Sequence, residues 1–373
     1  MTRTSERWTP LAWANYLRSR RQVHKLFRAG AVLERLAAAT WEISPPTTST
    51  TRAAYCLPGQ LKRVTGMAYT NNPERDMAGG LERVQASTRG FLLKDVWLLD
   101  GSLYKHVGRP GIVRLDLHSR SRLPWMAKYL PRLRAEIEID RGAIYSSYDG
   151  NEFFGLWLTD DCTTYELARN EGVPVSACRP VTSHMPVYEK WLGMQPLRSD
   201  ASFLKELVLF DDNWENNAGK RVRLLAAQEK LLSRVTPTPH PGVFLLRRNS
   251  GVARVLHNEM ELALHLQDRR GFRIVDVTRD DVPTIVSKCA GARVVVGVEG
   301  SQLMHAVMVL RPGGAVLTLQ PPNRFSGVIK RTTDMAGQDY GFVVGVPRES
   351  GYWVDPSEVE RTLDLFPLQG AEQ

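Results

Sequence analysis

With 373 residues, 43% apolar and 24% charged, the chain has the composition of a globular protein and not of a disordered one. It is also too long for one ordinary core, so two domains plus extensions are expected. The net charge of +9 favours anionic partners as a class, namely nucleotides, acidic polymers or anionic lipid, without choosing among them. Cys56, Cys162, Cys178 and Cys289 are scattered with no C-x-x-C pair, which supports neither zinc-ligand spacing nor a disulfide framework and fits a reducing cytoplasm.

In chain order, residues 1–42 read as a basic helical extension. Trp13, Tyr16, Leu17, Val23, Phe27 and Leu33 approximate a helical stripe, with Arg18, Arg20, Arg21, Lys25 and Arg28 between them. Such a stripe suits either peripheral contact with an anionic membrane or a helix packed on the protein's own body, and the second is preferred. No run of about 18 apolar residues occurs and the N-terminus lacks a signal-peptide pattern, so neither a transmembrane helix nor secretion is expected. Residues 43–210 read as a first α/β domain. It opens on a turn-rich linker (43–52), with strands over 91–99, 112–117 and 141–147 and a helix over 152–169.

The polar patch 211–217 marks the expected boundary to a second domain, 211–350. There the pattern is regular: helix 220–233, strand 243–246, helix 258–270, strand 273–277, helix 281–290, strand 294–296, helix 301–310 and strand 315–319. Strands that are nearly continuous apolar runs, alternating with helices, predict a doubly wound parallel sheet. The tail 351–373 holds an apolar-faced helix over 356–366, expected to pack back on the first domain.

Ligands of open α/β sheets bind at the carboxyl ends of the strands. Four such ends carry polar residues: Arg247-Arg248-Asn249, Thr278, Glu299-Gly300-Ser301-Gln302, and Gln320. Two arginines can grip a diphosphate, helix-start amides at Gly300, Ser301 and Gln302 can receive a phosphate, and Glu299 can bond sugar hydroxyls or cap its helix. Adjacent arginines diverge, so one should dominate, and Arg248 is preferred. No Walker lysine motif, no early G-x-G-x-x-G and no H-E-x-x-H appears.

The run Leu245-Leu246-Arg247-Arg248, then Gly271-Phe272-Arg273-Ile274-Val275-Asp276, then 289–317 with its core Val294-Val295-Val296-Gly297-Val298-Glu299-Gly300-Ser301, resembles glycosyltransferase family 61. Asn151 to Asp161 resembles that family's upstream motif. The resemblance implies a GT-B fold of two Rossmann-like doubly wound domains facing a cleft. It also implies inverting, metal-independent transfer from a nucleotide sugar, commonly a UDP-sugar, with no further cofactor. Gly155 and Glu299 stand where the family has histidines, and Ser301 where it has alanine.

Inverting transfer needs a base for the acceptor hydroxyl. Asp160 and Asp161 are the base candidates with Glu299, Asp160 being preferred; His184 is a further candidate. The leading expectation is a cytoplasmic glycosyltransferase, peripheral at the inner face of the membrane, acting on a glycan or lipid-linked glycan in surface polysaccharide synthesis. No nucleic acid partner is expected. A nucleotide-cofactor oxidoreductase and a degenerate transferase that binds without turnover are the alternatives.

Overall fold

The computed structural model describes residues 29–68, 72–99, 101–106, 112–117, 135–177, 181, 184–199, 201–212, 217–248 and 254–367. Most of the basic stripe, and Asn249, lie outside them. Among the described residues no helix is long and apolar enough to cross a membrane.

The N-terminal half builds a sheet from β1 (Ala39–Ser44), β2 (Thr88–Leu99), β3 (Ser102–His106), β4 (Ile112–Leu117), β5 (Ile137–Ile144), β6 (Val173–Ala177), β7 (Leu197–Ser199) and β8 (Ala201–Asp211). Their order is β7-β6-β5-β8-β2-β3-β4, with β1 alongside the first part of β2. Strands β5 to β8 run parallel, whereas β2 and β3 pair antiparallel with their neighbours. This sheet is therefore mixed, not the doubly wound parallel sheet expected. The physical reason is the β2–β3 hairpin: a connection of only two residues, 100 and 101, forces antiparallel pairing. Leu33, on the helix Ala29–Leu36, is buried with Phe91, Leu93 and Leu207, so this end of the basic stripe packs on the protein's own sheet.

The C-terminal half fulfils the parallel pattern. Strands β9 (His240–Leu246), β10 (Arg273–Asp276), β11 (Ala292–Val298), β12 (Ala315–Gln320) and β13 (Asp339–Val344) stand in the order β10-β9-β11-β12-β13, all parallel. Counted within the sheet this is 2-1-3-4-5, a doubly wound order whose switch point lies between β9 and β11. Helices Glu259–Arg270 and Pro356–Leu363 cover its outer face, burying Leu262, Leu266, Val359 and Leu363 against Phe244, Val296 and Leu317. The last helix thus packs mainly on the second sheet and reaches the N-terminal half through the Arg63–Glu358 ion pair at 2.6 Å.

The inner face of the second sheet meets the first half through one layer of helices. A single apolar cluster runs from Ala143 and Val208 of the first sheet to Val243, Val295 and Val316 of the second. Trp157, Tyr165, Tyr188, Leu224, Ile285 and Ile329 fill the space between. The segment from Phe154 to Glu171, helical with a π-helical stretch at Trp157–Asp161, lies in this layer and carries residues of the first half to the second sheet's carboxyl edge.

Candidate active site

Arg247 leaves the end of β9, and Gly300 begins the turn after β11, so they face each other across the switch point. The Arg247 side chain is buried and its Nη1 donates to Gln302 Oε1 at 2.9 Å. A Cβ on Gly300 would collide with that guanidinium, and its φ of 154° is also one that side chains rarely adopt. Glycine at 300 is what allows the arginine to lie over the turn. Gln302 returns its amide to the Val298 carbonyl, closing the turn. Burial, with the like charge of Arg254, pulls the Arg247 guanidinium down to about 10. It remains a cation at neutral pH, and a desolvated cation gains from an anionic neighbour.

Glu299 is nearly fully buried. Arg254 Nε lies 2.8 Å from its Oε2, and Arg254 Nη1 donates to the Glu299 carbonyl at 3.1 Å. Beside this pair sits a cavity of about 40 Å³, lined by Gly155, Arg254, Glu299, Ser301, Met304 and Arg324 among others. The cavity is small and partly open to solvent. Gly155 is placed here because its helix packs directly on the turn after β11: a Cβ would stand 2.8 Å from Met304 Cγ and 3.1 Å from Ser301 Cα. Gly155, Glu299 and Ser301, the three positions that depart from the pattern described above, therefore converge on one cavity.

Other candidates fall elsewhere. Arg248, preferred from the sequence, is the outward-facing one; it has φ 54°, is partly exposed, and directs Nε to Asp276 Oδ2 at 3.1 Å on the neighbouring β10. Thr278 closes a local turn, donating through its hydroxyl to Asp276 at 2.6 Å. Gln320 is fully buried and donates to the Ser326 carbonyl at 2.8 Å and to Tyr340 at 3.1 Å, shaping the loop after β12.

Asp160 and Asp161 do not line the cavity. Asp160 is ion-paired with the wholly buried Lys220, which also donates to the Asp212 carbonyl at 2.9 Å. Asp161 accepts from the Ser147 amide at 3.0 Å and hydroxyl at 2.7 Å. Asp160 thus joins its helix to Ala218–Leu232 and Asp161 joins it to the start of the helix Tyr148–Glu152, while Asp212 extends the network to Thr88, Thr164 and Arg223 at 2.7, 2.8 and 2.6 Å.

His184 joins an aromatic group with Phe154, Tyr188 and His305; its ring lies 5.1 Å from that of His305. The Tyr188 hydroxyl and His305 Nδ1 are 2.5 Å apart. Burial lowers the pKa of His184 and pushes His305 down to about 3, so His305 stays neutral at ordinary pH. Among the described residues no group of His, Cys, Asp and Glu is placed to hold a metal ion.

Sequence reasoning missed Arg254 and Arg324, since nothing local distinguishes an arginine that closes on a remote cavity. It missed Lys220 for the same reason, since its partner Asp160 lies 60 residues away in the chain. None of the curated protein sequences compared with the chain matches it. The family model described as Glycosyltransferase 61 matches residues 124–317, a span reaching from ahead of β5 through the cavity to β12, and the chain therefore belongs to glycosyltransferase family 61.

Proposed function

We propose that the protein moves a sugar from a nucleotide-sugar donor, a UDP-sugar, to a glycan acceptor with inversion, on a scaffold of GT-B type. One observation carries this reading: Gly155, Glu299 and Ser301 meet at one cavity beside the switch point, within reach of Arg247 and Arg254. The diphosphate would sit on the amides after Gly300 and take its counter-charge from Arg247, Arg254 and Arg324. Those three arginines replace a divalent ion in this proposal. Glu299 lines the cavity and takes the acceptor's proton as Arg254 turns to the diphosphate, whereas Asp160 and Asp161 lie off the cavity. The acceptor belongs to a surface polysaccharide or its lipid-linked precursor.

A thermal-shift series with UDP-, GDP-, CMP- and TDP-sugars tests the donor. A ligand at 100 times its dissociation constant stabilises by about 2.7 kcal/mol, and UDP-sugars should do so undiminished in EDTA. No shift with any nucleotide sugar, or a strict need for manganese, would count against the proposal. One observation favours a second reading, binding without turnover: Glu299 is held in a buried ion pair with Arg254. Slow release of sugar from the bound donor to water separates the two, since only a working transferase leaks in this way.

A further inference from the structure

A second and larger concavity, of about 880 Å³, opens where the N-terminal segment meets the helix Val328–Ala336. Its walls are the paired strands Thr47–Thr50 and Glu82–Gln85, the helix Pro73–Ala78 and the face of Val328–Ala336. Val328 lines both this groove and the small cavity at Glu299, so the two spaces adjoin at the start of that helix. A volume of this order lies within the range of about 300–1,000 Å³ that ligand sites occupy.

The groove's charge is lopsided. Arg52, Arg75, Arg83, Arg221, Lys330 and Arg331 line it against three carboxylates. Two of those carboxylates are taken: Asp76 by Arg83, and Asp334 by Lys330. Lys330 is buried at the floor, and the charges of Arg83 and Arg52 add to burial in lowering its pKa. The cations are thus close enough to repel one another. Arg75 and Arg221, both exposed, have no carboxylate partner among the described residues. Among the described residues no aromatic side chain lines the groove, so those residues supply no platform for stacking nucleic acid bases or the faces of neutral sugars. Serine, threonine, asparagine and glutamine supply the remaining polar groups, which suits hydroxyl-rich chains.

Resting on the transferase reading above, we infer that this groove is the acceptor site and that the acceptor is a glycan carrying anionic groups, carboxylate or phosphate, gripped by Arg75, Arg221 and their neighbours. Arginine serves both anions through the same forked geometry. The acceptor chain lies along Val328–Ala336 and presents its reacting hydroxyl past Val328, towards Glu299.

The test is isothermal titration of the full chain with hexagalacturonate, with maltohexaose, and with maltohexaose bearing a terminal phosphate, at two salt concentrations. Hexagalacturonate or the phosphorylated sugar should bind at least about tenfold more tightly than maltohexaose, and the preference should shrink with salt, because exposed charge pairs are screened. Whichever anion binds identifies the acceptor's charged group. Arg75→Ala/Arg221→Ala should lose about tenfold or more of that affinity, and Arg75→Lys/Arg221→Lys, which keeps the charge but not the fork, should fall between the alanine variant and the parent. Both arginines are exposed, and unchanged melting temperatures in these variants will show that the fold is intact. Equal binding of charged and neutral sugars, no loss in the alanine variant, or tighter binding of dodecathymidylate would each overturn the inference. UDP binding is measured on the same samples: a chain that binds UDP but no anionic glycan sinks this inference and leaves the donor site standing. A chain that binds anionic glycan but no nucleotide keeps the groove's ligand and removes the transferase.

Discussion

Two side chains at the cavity, Glu299 and Arg254, set what a single substitution should do. Glu299→Gln keeps the shape and removes the proposed proton acceptor. General-base catalysis contributes about 10²–10⁴-fold, so turnover should fall at least a hundredfold. UDP affinity should hold or tighten, because a negative charge beside the proposed diphosphate site has gone. Turnover within a few-fold of the parent would move the base elsewhere, with His184 the next to examine. Arg254→Met acts differently, because it leaves the Glu299 carboxylate buried without its ion partner. Breaking a buried pair from one side costs about 3–5 kcal/mol. The double variant Arg254→Met/Glu299→Gln should recover most of that in urea denaturation; equal instability of single and double variants would show that the pair is not what the arginine supports. Of this site, the sequence discloses Glu299, Gly300, Ser301, Gln302 and Arg247, because all follow directly on apolar runs that end as strands. It does not disclose Arg254 or the outward turn of Arg248, since both depend on what a neighbouring strand or turn presents across space.

Elements differ in how far their own residues announce them. The second sheet is legible because β9, β11 and β12 are near-continuous apolar runs, as strands buried on both faces require. The central strand of the first sheet, β8, is hidden: Lys205 and Glu206 interrupt its apolar pattern. In the folded protein they pair across to β5, Lys205 with Asp140 at 2.7 Å and Glu206 with Arg141 at 2.8 Å. Cross-strand ion pairs of this kind make a charged dipeptide compatible with a central strand, and no local signal reports them. The helix Ala218–Leu232 depends on a residue that does more than cap it. Asn217 Oδ1 accepts from the Lys220 amide at 3.0 Å, while its Nδ2 donates to Thr88 Oγ1 at 2.8 Å and the Ala86 carbonyl at 3.0 Å. Asn217→Ala should therefore destabilise by about 1–2 kcal/mol, the upper part of the N-cap range, because the helix loses both its cap and its tie to the first sheet. Asn217→Asp, which can still accept from Lys220, should recover part of the loss in thermal melts; no difference between the two variants would assign the whole effect to the tie.

At the scale of the whole molecule, one helical layer shared by two sheets buries groups that a chain with two separate cores would leave near solvent. His305 is the clearest case: it lies between the sheets, bonded to Tyr188, with its pKa pushed by burial to about 3. An unfolded histidine titrates near 6.5. Because the folded value is the lower one, acid protonates the unfolded chain first. The stabilisation is complete above about pH 6.5 and is lost as pH falls from there towards 3. Each pH unit in that window removes about 1.4 kcal/mol, so His305 alone should account for about 2 kcal/mol between pH 6.5 and 5. His184 and His240 are also lowered by burial and act with the same sign, which steepens the parent's slope further. Comparison with His305→Asn isolates the term. The variant will be less stable at pH 7.5, where its packing is imperfect, but it should lose about 2 kcal/mol less than the parent between pH 6.5 and 5. Parallel slopes in urea denaturation across that window would mean that His305 reaches water, and that the two sheets do not share a closed core at this point.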